Sequence, residues 1–176
     1  MKNHQLKFKT AVKDLGGNYI IVLPKSVSSK LPSRGINMVN VKVGNSSFVT
    51  LLEPDGIGSH WFILKYKILK NLDSKMLTFT FELVENWPEP SIPSDIDNKL
   101  KVDSDLNIIW NSLTTQARWD FLRWINETSN KNTRKGRIDK MINMLKSGKR
   151  RPCCFNRTKC CFPGLSKNGL LMLQDD

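Results

Sequence analysis

The hydrophobic period of this chain changes once, and a proline-rich connector marks the change. Up to Val84 apolar residues recur at every second position or in short runs, and from Leu106 onward they recur every third and fourth. Successive side chains of a strand point to opposite faces, whereas neighbours on one helix face stand three and four residues apart. The chain is therefore expected to build a sheet first and helices second. Between them, Asn86-Trp87-Pro88-Glu89-Pro90-Ser91-Ile92-Pro93 places three prolines within six residues. Proline has a fixed φ and no amide hydrogen, so this stretch cannot run as a central strand. The domain boundary is placed here.

Ahead of the connector, Leu6 to Val12 roughly alternates, and Gly16-Gly17-Asn18 is a turn signal. Tyr19 to Leu23 is a continuous apolar strand stopped by Pro24, and Ser26 to Leu31 suits one helical turn. Val39 to Val43 turns at Gly44-Asn45-Ser46 into Ser47 to Leu52, and Glu53-Pro54-Asp55-Gly56 is a loop. Trp61 to Tyr66 follows. Leu77, Phe79, Phe81 and Leu83 then alternate with Thr78, Thr80 and Glu82. About six short strands with turns between them predict a small antiparallel β-barrel over residues 1–90.

Beyond the connector, residues 91–148 read as a short module of three helices. Leu106, Ile109, Trp110 and Leu113 mark the first. The second starts near Thr114-Thr115, good N-cap residues, and carries Ala117, Phe121, Trp124 and Ile125. The third begins around Asn132-Thr133, carries Ile138, Met141, Ile142 and Leu145, and stops at Gly148. The fold class is α+β. Residues 149–176 show no sustained period and read as a basic, cysteine-bearing tail with an apolar strip at Leu165 and Leu170 to Leu173. Removing this tail is expected to leave a folded protein.

Charge is as uneven as period. The net charge is +12, and residues 131–159 carry eleven Lys/Arg against the single acid Asp139. A run of this kind is either a solvated face or the footprint of an acidic partner, with nucleic acid or anionic headgroups first in line. The nucleic-acid candidates are Lys149, Arg150, Arg151, Arg157 and Lys159, with Phe155 and Phe162 placed among them for stacking. No apolar run approaches the roughly 20 residues of a membrane span. Met1 to Thr10 has no apolar core, which predicts no secretory leader and a cytoplasmic location.

The order of features resembles a known family. Leu113-Thr114 leading to Trp124-Ile125, then Thr133-Arg134, Arg137-Ile138, Met144-Leu145 and Gly148-Lys149, is similar to the YdeI/OmpD-associated (bacteriocin-protection) domain. Phe8, Gly17, Val22-Leu23-Pro24, Val39-x-Val41-x-Val43, Gly58-x-His60 and Phe81-Glu82-Leu83 resemble the uncharacterised small-barrel domain often fused ahead of it. Two positions depart from the pattern. Lys131-Asn132 stands where the family commonly has an acidic pair, and Ser74-Lys75-Met76 where a Gly-Asp turn is usual. The resemblance implies protection against bacteriocins or an outer-membrane association, and it brings no mechanism with it.

Arg134 is the first candidate for a site. It lies one helical turn before Ile138, on the stripe of Met141, Ile142 and Leu145, where a guanidinium must be paired or face a polar pocket. An anion site at the barrel–helix seam, with His60, Arg118 and Arg137, is the functional expectation. A structural salt bridge is the bland one. His60 follows a loop and, as a lone histidine of the ordered part, cannot build a common three-ligand zinc site. Cys153-Cys154 and Cys160-Cys161 supply four thiols, but adjacent cysteines suit one metal poorly, so free thiols are expected over zinc. No cofactor is predicted. The leading expectation is a non-enzymatic binding or stress-protection protein. A nucleic-acid-associated protein, and a small-ligand or enzymatic pocket at the seam, stand as its alternatives.

Overall fold

The computed structural model describes residues 5–72, 76–152, 159, 162 and 164–173. The chain divides into two compact units, Met1–Asn86 with Thr158–Asp176, and Trp87–Arg157.

In the first unit the strands are β1 (Leu6–Ala11), β2 (Lys13–Leu15), β3 (Asn18–Val22), β4 (Asn37–Val43), β5 (Ser46–Pro54), β6 (His60–Leu64) and β7 (Met76–Leu83). Two single-turn helices interrupt them, α1 (Lys25–Ser28) and α2 (Tyr66–Leu69). The sheet order is β1-β7-β4-β5-β6-β3-β2, and every pairing is antiparallel. Its two edge strands are consecutive in sequence with only Val12 between them. The sheet therefore curls back on itself as a half-barrel.

The sheet has seven strands, where the alternation predicted about six. The opening stretch bends at Val12 and changes neighbour, β1 pairing with β7 and β2 with β3. A bend that keeps alternating leaves no mark in the hydrophobic period. The strand expected over Trp61 to Tyr66 stops at Leu64, and Tyr66 opens α2.

Inward residues of both halves of the sheet make one core. Phe8, Val39, Val41, Phe62, Phe79 and Phe81 are buried together. Phe8 stands opposite Phe79 in the β1–β7 register, and their rings stack at 5.4 Å between centroids. Phe62 meets Phe79 edge-on at 5.7 Å, a favoured aromatic geometry.

Within the segment read as a tail, the described residues around the apolar strip supply a second core. Phe162, Leu165 and Leu171 are buried with Ile20 and Trp61, and the Phe162 and Trp61 rings lie 5.3 Å apart. Leu165 and Leu171 form an antiparallel bridge, closed by Ser166 N–H to the Leu170 carbonyl at 2.8 Å. The Leu171 amide donates to the Asp55 carbonyl at 3.0 Å, which binds this C-terminal hairpin to the loop before β6. Gly56 sits under Leu170 at φ +80°, and a Cβ there would lie 2.5 Å from a Leu170 methyl. Only glycine accepts both that backbone and that neighbour. The strip at Leu165 and Leu170 to Leu173 is thus partly core, and the expectation that residues 149–176 are dispensable is withdrawn.

The second unit contains α3 (Ser94–Val102), α4 (Ser104–Asn111), α5 (Thr115–Asn126) and α6 (Lys131–Lys146). These are four helices, where the period predicted three. The missed helix, α3, buries only Ile96 and Leu100, too few apolar positions to declare a period. Caps set the boundaries of the others. The Asp103 carboxylate accepts from Leu106 N–H at 2.9 Å, Thr114 Oγ from Ala117 N–H at 3.2 Å, and Asn130 Oδ1 from Thr133 N–H at 3.0 Å. α6 therefore starts slightly earlier than Asn132-Thr133 suggested. It ends at Gly148, φ +81°, with Lys149 N–H to the Met144 carbonyl and Gly148 N–H to the Leu145 carbonyl. This paired closure is the Schellman motif.

Leu106, Trp110, Phe121, Ile125, Ile138, Met141 and Leu145 are buried. α4 and α5 both pack on α6. The proline connector belongs to this unit. Trp119 Nε1–H donates to the Pro88 carbonyl at 2.7 Å, and Glu89 takes two bonds from the Arg118 guanidinium, at 2.9 and 2.7 Å.

Candidate functional site

Within the helical unit, α3 and α6 border a half-open cleft of about 260 Å³. α3 contributes Asp95 and Lys99, and α6 contributes Lys131, Arg134, Lys135 and Asp139, with Ile138 as the apolar part of the lining. Four cations face two carboxylates here, a net charge of +2. Helical spacing explains the α6 set, since residues three and four apart share a face.

Arg134 is anchored, as its place on the apolar stripe required. Nε and one Nη donate to the two Asp95 oxygens at 2.6 and 2.9 Å, and the other Nη donates to Asn126 Oδ1 at 2.6 Å. One guanidinium therefore ties α3, the end of α5, and α6 together. The hydrogen bonds from Arg134 hold the Asp95 carboxyl below its ordinary range, and Asp95 in turn raises Arg134.

Arg134→Met is expected to cost about 1–2 kcal/mol, the loss of a charge-assisted pair discounted for partial exposure. Lys135→Met should cost less than about 0.5 kcal/mol, because that side chain is exposed. Thermal melts of the two variants decide the matter. Equal melting temperatures would mean that the Asp95 pairing contributes nothing.

Arg118 is a staple of the same unit. Beyond Glu89, its guanidinium donates to the Leu113 carbonyl at 2.7 Å and reaches the Trp110 and Asn111 carbonyls at 3.4 and 3.3 Å. It thereby satisfies the open C-terminal end of α4. Arg118 also holds the Glu89 carboxyl below its usual range. Arg137 donates to the Trp124 carbonyl, and its guanidinium lies 5.6 Å from the centre of the Trp124 ring, a cation–π contact.

His60 belongs to the first unit, where it is fully buried. Its Nε2 lies 2.9 Å from the Gly35 carbonyl, and its Nδ1 lies 2.7 Å from Ser28 Oγ. A carbonyl only accepts, so Nε2 carries the proton and Nδ1 accepts from the Ser28 hydroxyl. Arg34 closes the knot, donating to the Gly58 carbonyl at 2.6 Å and the Ser28 carbonyl at 3.3 Å. Burial pushes the His60 pKa down. The Ser28–His60 distance is that of a nucleophile and its base, but both side chains are fully buried. The neutral ring joins α1, the loop that leads into β4 and the start of β6.

Comparison with known proteins bears on both units. Residues 89–148 match the family described as bacteriocin-protection, YdeI or OmpD-associated. Residues 8–75 match a domain of unknown function, DUF1905. The helical unit thus carries the YdeI/OmpD-associated match, and the half-barrel carries the DUF1905 match. The YdeI/OmpD-associated match contains Arg118, Arg134, Arg137 and the whole α3–α6 cleft, while the DUF1905 match contains His60. No curated protein matches the chain.

The nucleic-acid candidates separate in the structure. Lys149 and Lys159 are exposed. Arg150 donates to the Ser112 carbonyl at the end of α4, and Arg151 lies 3.9 Å from the buried Asp120 carboxylate. These two arginines are thus engaged within the helical unit. Arg157, Phe155 and the four cysteines Cys153, Cys154, Cys160 and Cys161 lie outside the described residues. Sequence reasoning missed Asp95 and Lys99 because it missed α3. The Lys131, Arg134, Lys135 grouping was visible in the spacing.

Proposed function

We propose that this chain is a binding protein whose helical unit engages an anionic partner through the outer face of α6. The observation that carries this reading is the two-sidedness of that helix. Ile138, Met141, Met144 and Leu145 are buried, and Lys131, Lys135 and Lys140 are exposed on the same helix, with Lys149 just past its end. Among the described residues no ion pair engages these four lysines. Cations without an ion pair, spread along a rigid element, attract anions at long range and cost little to organise. The family's printed description, bacteriocin protection, fits a protein that acts by binding. Nucleic acid is the second reading, favoured by the run of Lys/Arg over 131–159.

Retention on heparin tests this. Lys140→Glu/Lys149→Glu should elute at clearly lower salt than a barrel variant with the same charge change, Lys7→Glu/Lys9→Glu, because counterion release makes phosphate- and sulfate-type binding fall steeply with salt. All four positions are exposed, so folding is not at stake. Equal shifts for the two variants would remove the helix from the account.

A further inference from the structure

The α3–α6 cleft has properties that general polyanion attraction does not require. Its cations stand on both walls, Lys99 on α3 facing Lys131 and Lys135 on α6. Among the described residues no ion pair holds any of these three ammonium groups. Arg134 is already held by Asp95 and Asn126, so its guanidinium is in place before anything binds. A volume of about 260 Å³ falls just under the roughly 300–1,000 Å³ of pockets for drug-sized ligands.

We propose that this cleft is a binding site for a phosphomonoester dianion. The inference rests on the anion-binding reading of α6 above and narrows it. A monoester carries a charge of about −2 above its second pKa near 6, which neutralises the net +2 of the lining. Three ammonium groups offer point charges and rotatable donors to the three terminal oxygens. Ile138 gives an adjacent short alkyl group an apolar neighbour. Asp95 stays on Arg134, and Asp139 opposes the ligand. The same phosphomonoester chemistry occurs in soluble phosphates and in the headgroup of phosphatidic acid.

Calorimetric titration of the full chain with glycerol 3-phosphate at low salt is the test. Lys99→Gln should weaken binding about three- to tenfold, and Asp139→Asn should tighten it about two- to fivefold, the range expected for one partly exposed charge. Lys7→Gln in β1 should leave it unchanged. A tightening cannot come from a damaged fold, so Asp139→Asn keeps the proposal falsifiable. Co-sedimentation with phosphatidylcholine vesicles, with and without phosphatidic acid, separates the sources. Pelleting that Lys99→Gln reduces assigns the monoester to a lipid, and binding in solution without pelleting assigns it to a soluble ligand. Absence of binding at millimolar glycerol 3-phosphate together with no phosphatidic-acid pelleting, or equal affinities for Lys99→Gln and Asp139→Asn, overturns the site. If heparin retention still responds to Lys140→Glu/Lys149→Glu in that case, the broader reading stands and only the cleft falls.

Discussion

Phe162→Ala is expected to destabilise the first unit by about 3–5 kcal/mol, the usual cost of emptying an aromatic site in a packed core. Phe162 is buried against Trp61 in a small cluster that also holds Ile20, Leu165 and Leu171. The loss therefore opens a void beside the only buried tryptophan of the half-barrel. Ending the chain at residue 158 should act in the same direction and further. It exposes Ile20 and Trp61 and leaves the Asp55 carbonyl without the Leu171 amide. Urea denaturation followed by circular dichroism measures both variants. A midpoint unchanged by either one would show that the C-terminal hairpin rests on the sheet without stabilising it.

His60→Leu should cost about 1–3 kcal/mol, the usual cost of one stranded buried polar group. That group is the Ser28 hydroxyl, whereas the Gly35 carbonyl keeps its bond from Asn37 Nδ2. The wild type also acquires a pH dependence from this residue. Burial holds the His60 pKa below its ordinary 6.5, so on acidification the unfolded chain takes up a proton before the native one does. Stability is complete above pH 6.5 and declines as pH falls below it. His60→Leu should lack that decline.

The helical unit is expected to respond in a different window. Asp95 and Asp103 are held below their ordinary 3.8 by bonds from Arg134 and Lys146, and Glu89 below its ordinary 4.5 by Arg118. Their contribution is present above these values and fades as pH drops through the lowered native ones. Melting midpoints from pH 8 to pH 3 measure both effects. A wild type and His60→Leu with parallel profiles between pH 7 and pH 5 would contradict the role given to the imidazole.

What the sequence revealed and what it hid have physical reasons. The sheet was legible because Leu77, Phe79 and Phe81 alternate without interruption, and α6 because its apolar stripe is long and ends at a glycine. The bend at Val12 and the helix α3 were not, since one keeps its alternation and the other buries two residues. The C-terminal hairpin was hidden for a third reason. Phe162, Leu165 and Leu171 fit a patch on the half-barrel around Trp61, so their period reflects that surface and no element of their own. Arg134 was legible as a residue that needed a partner. The partner, Asp95, lies 39 residues away in the helix that the period did not declare. His60 stood out as a histidine after a loop, but nothing local announces that Ser28 and Gly35 receive its two ring nitrogens.

In the proposed reading α6 and its flanks bind, and the half-barrel and C-terminal hairpin are structural. The most direct test is a titration of the isotopically labelled full chain with a heparin oligosaccharide, followed through its amide resonances at two salt concentrations. Shifts are expected to concentrate between Lys131 and Lys149 and around Lys99, and to shrink as salt is raised. Shifts centred on the strands from Leu6 to Leu64, or shifts that persist unchanged at high salt, would contradict it.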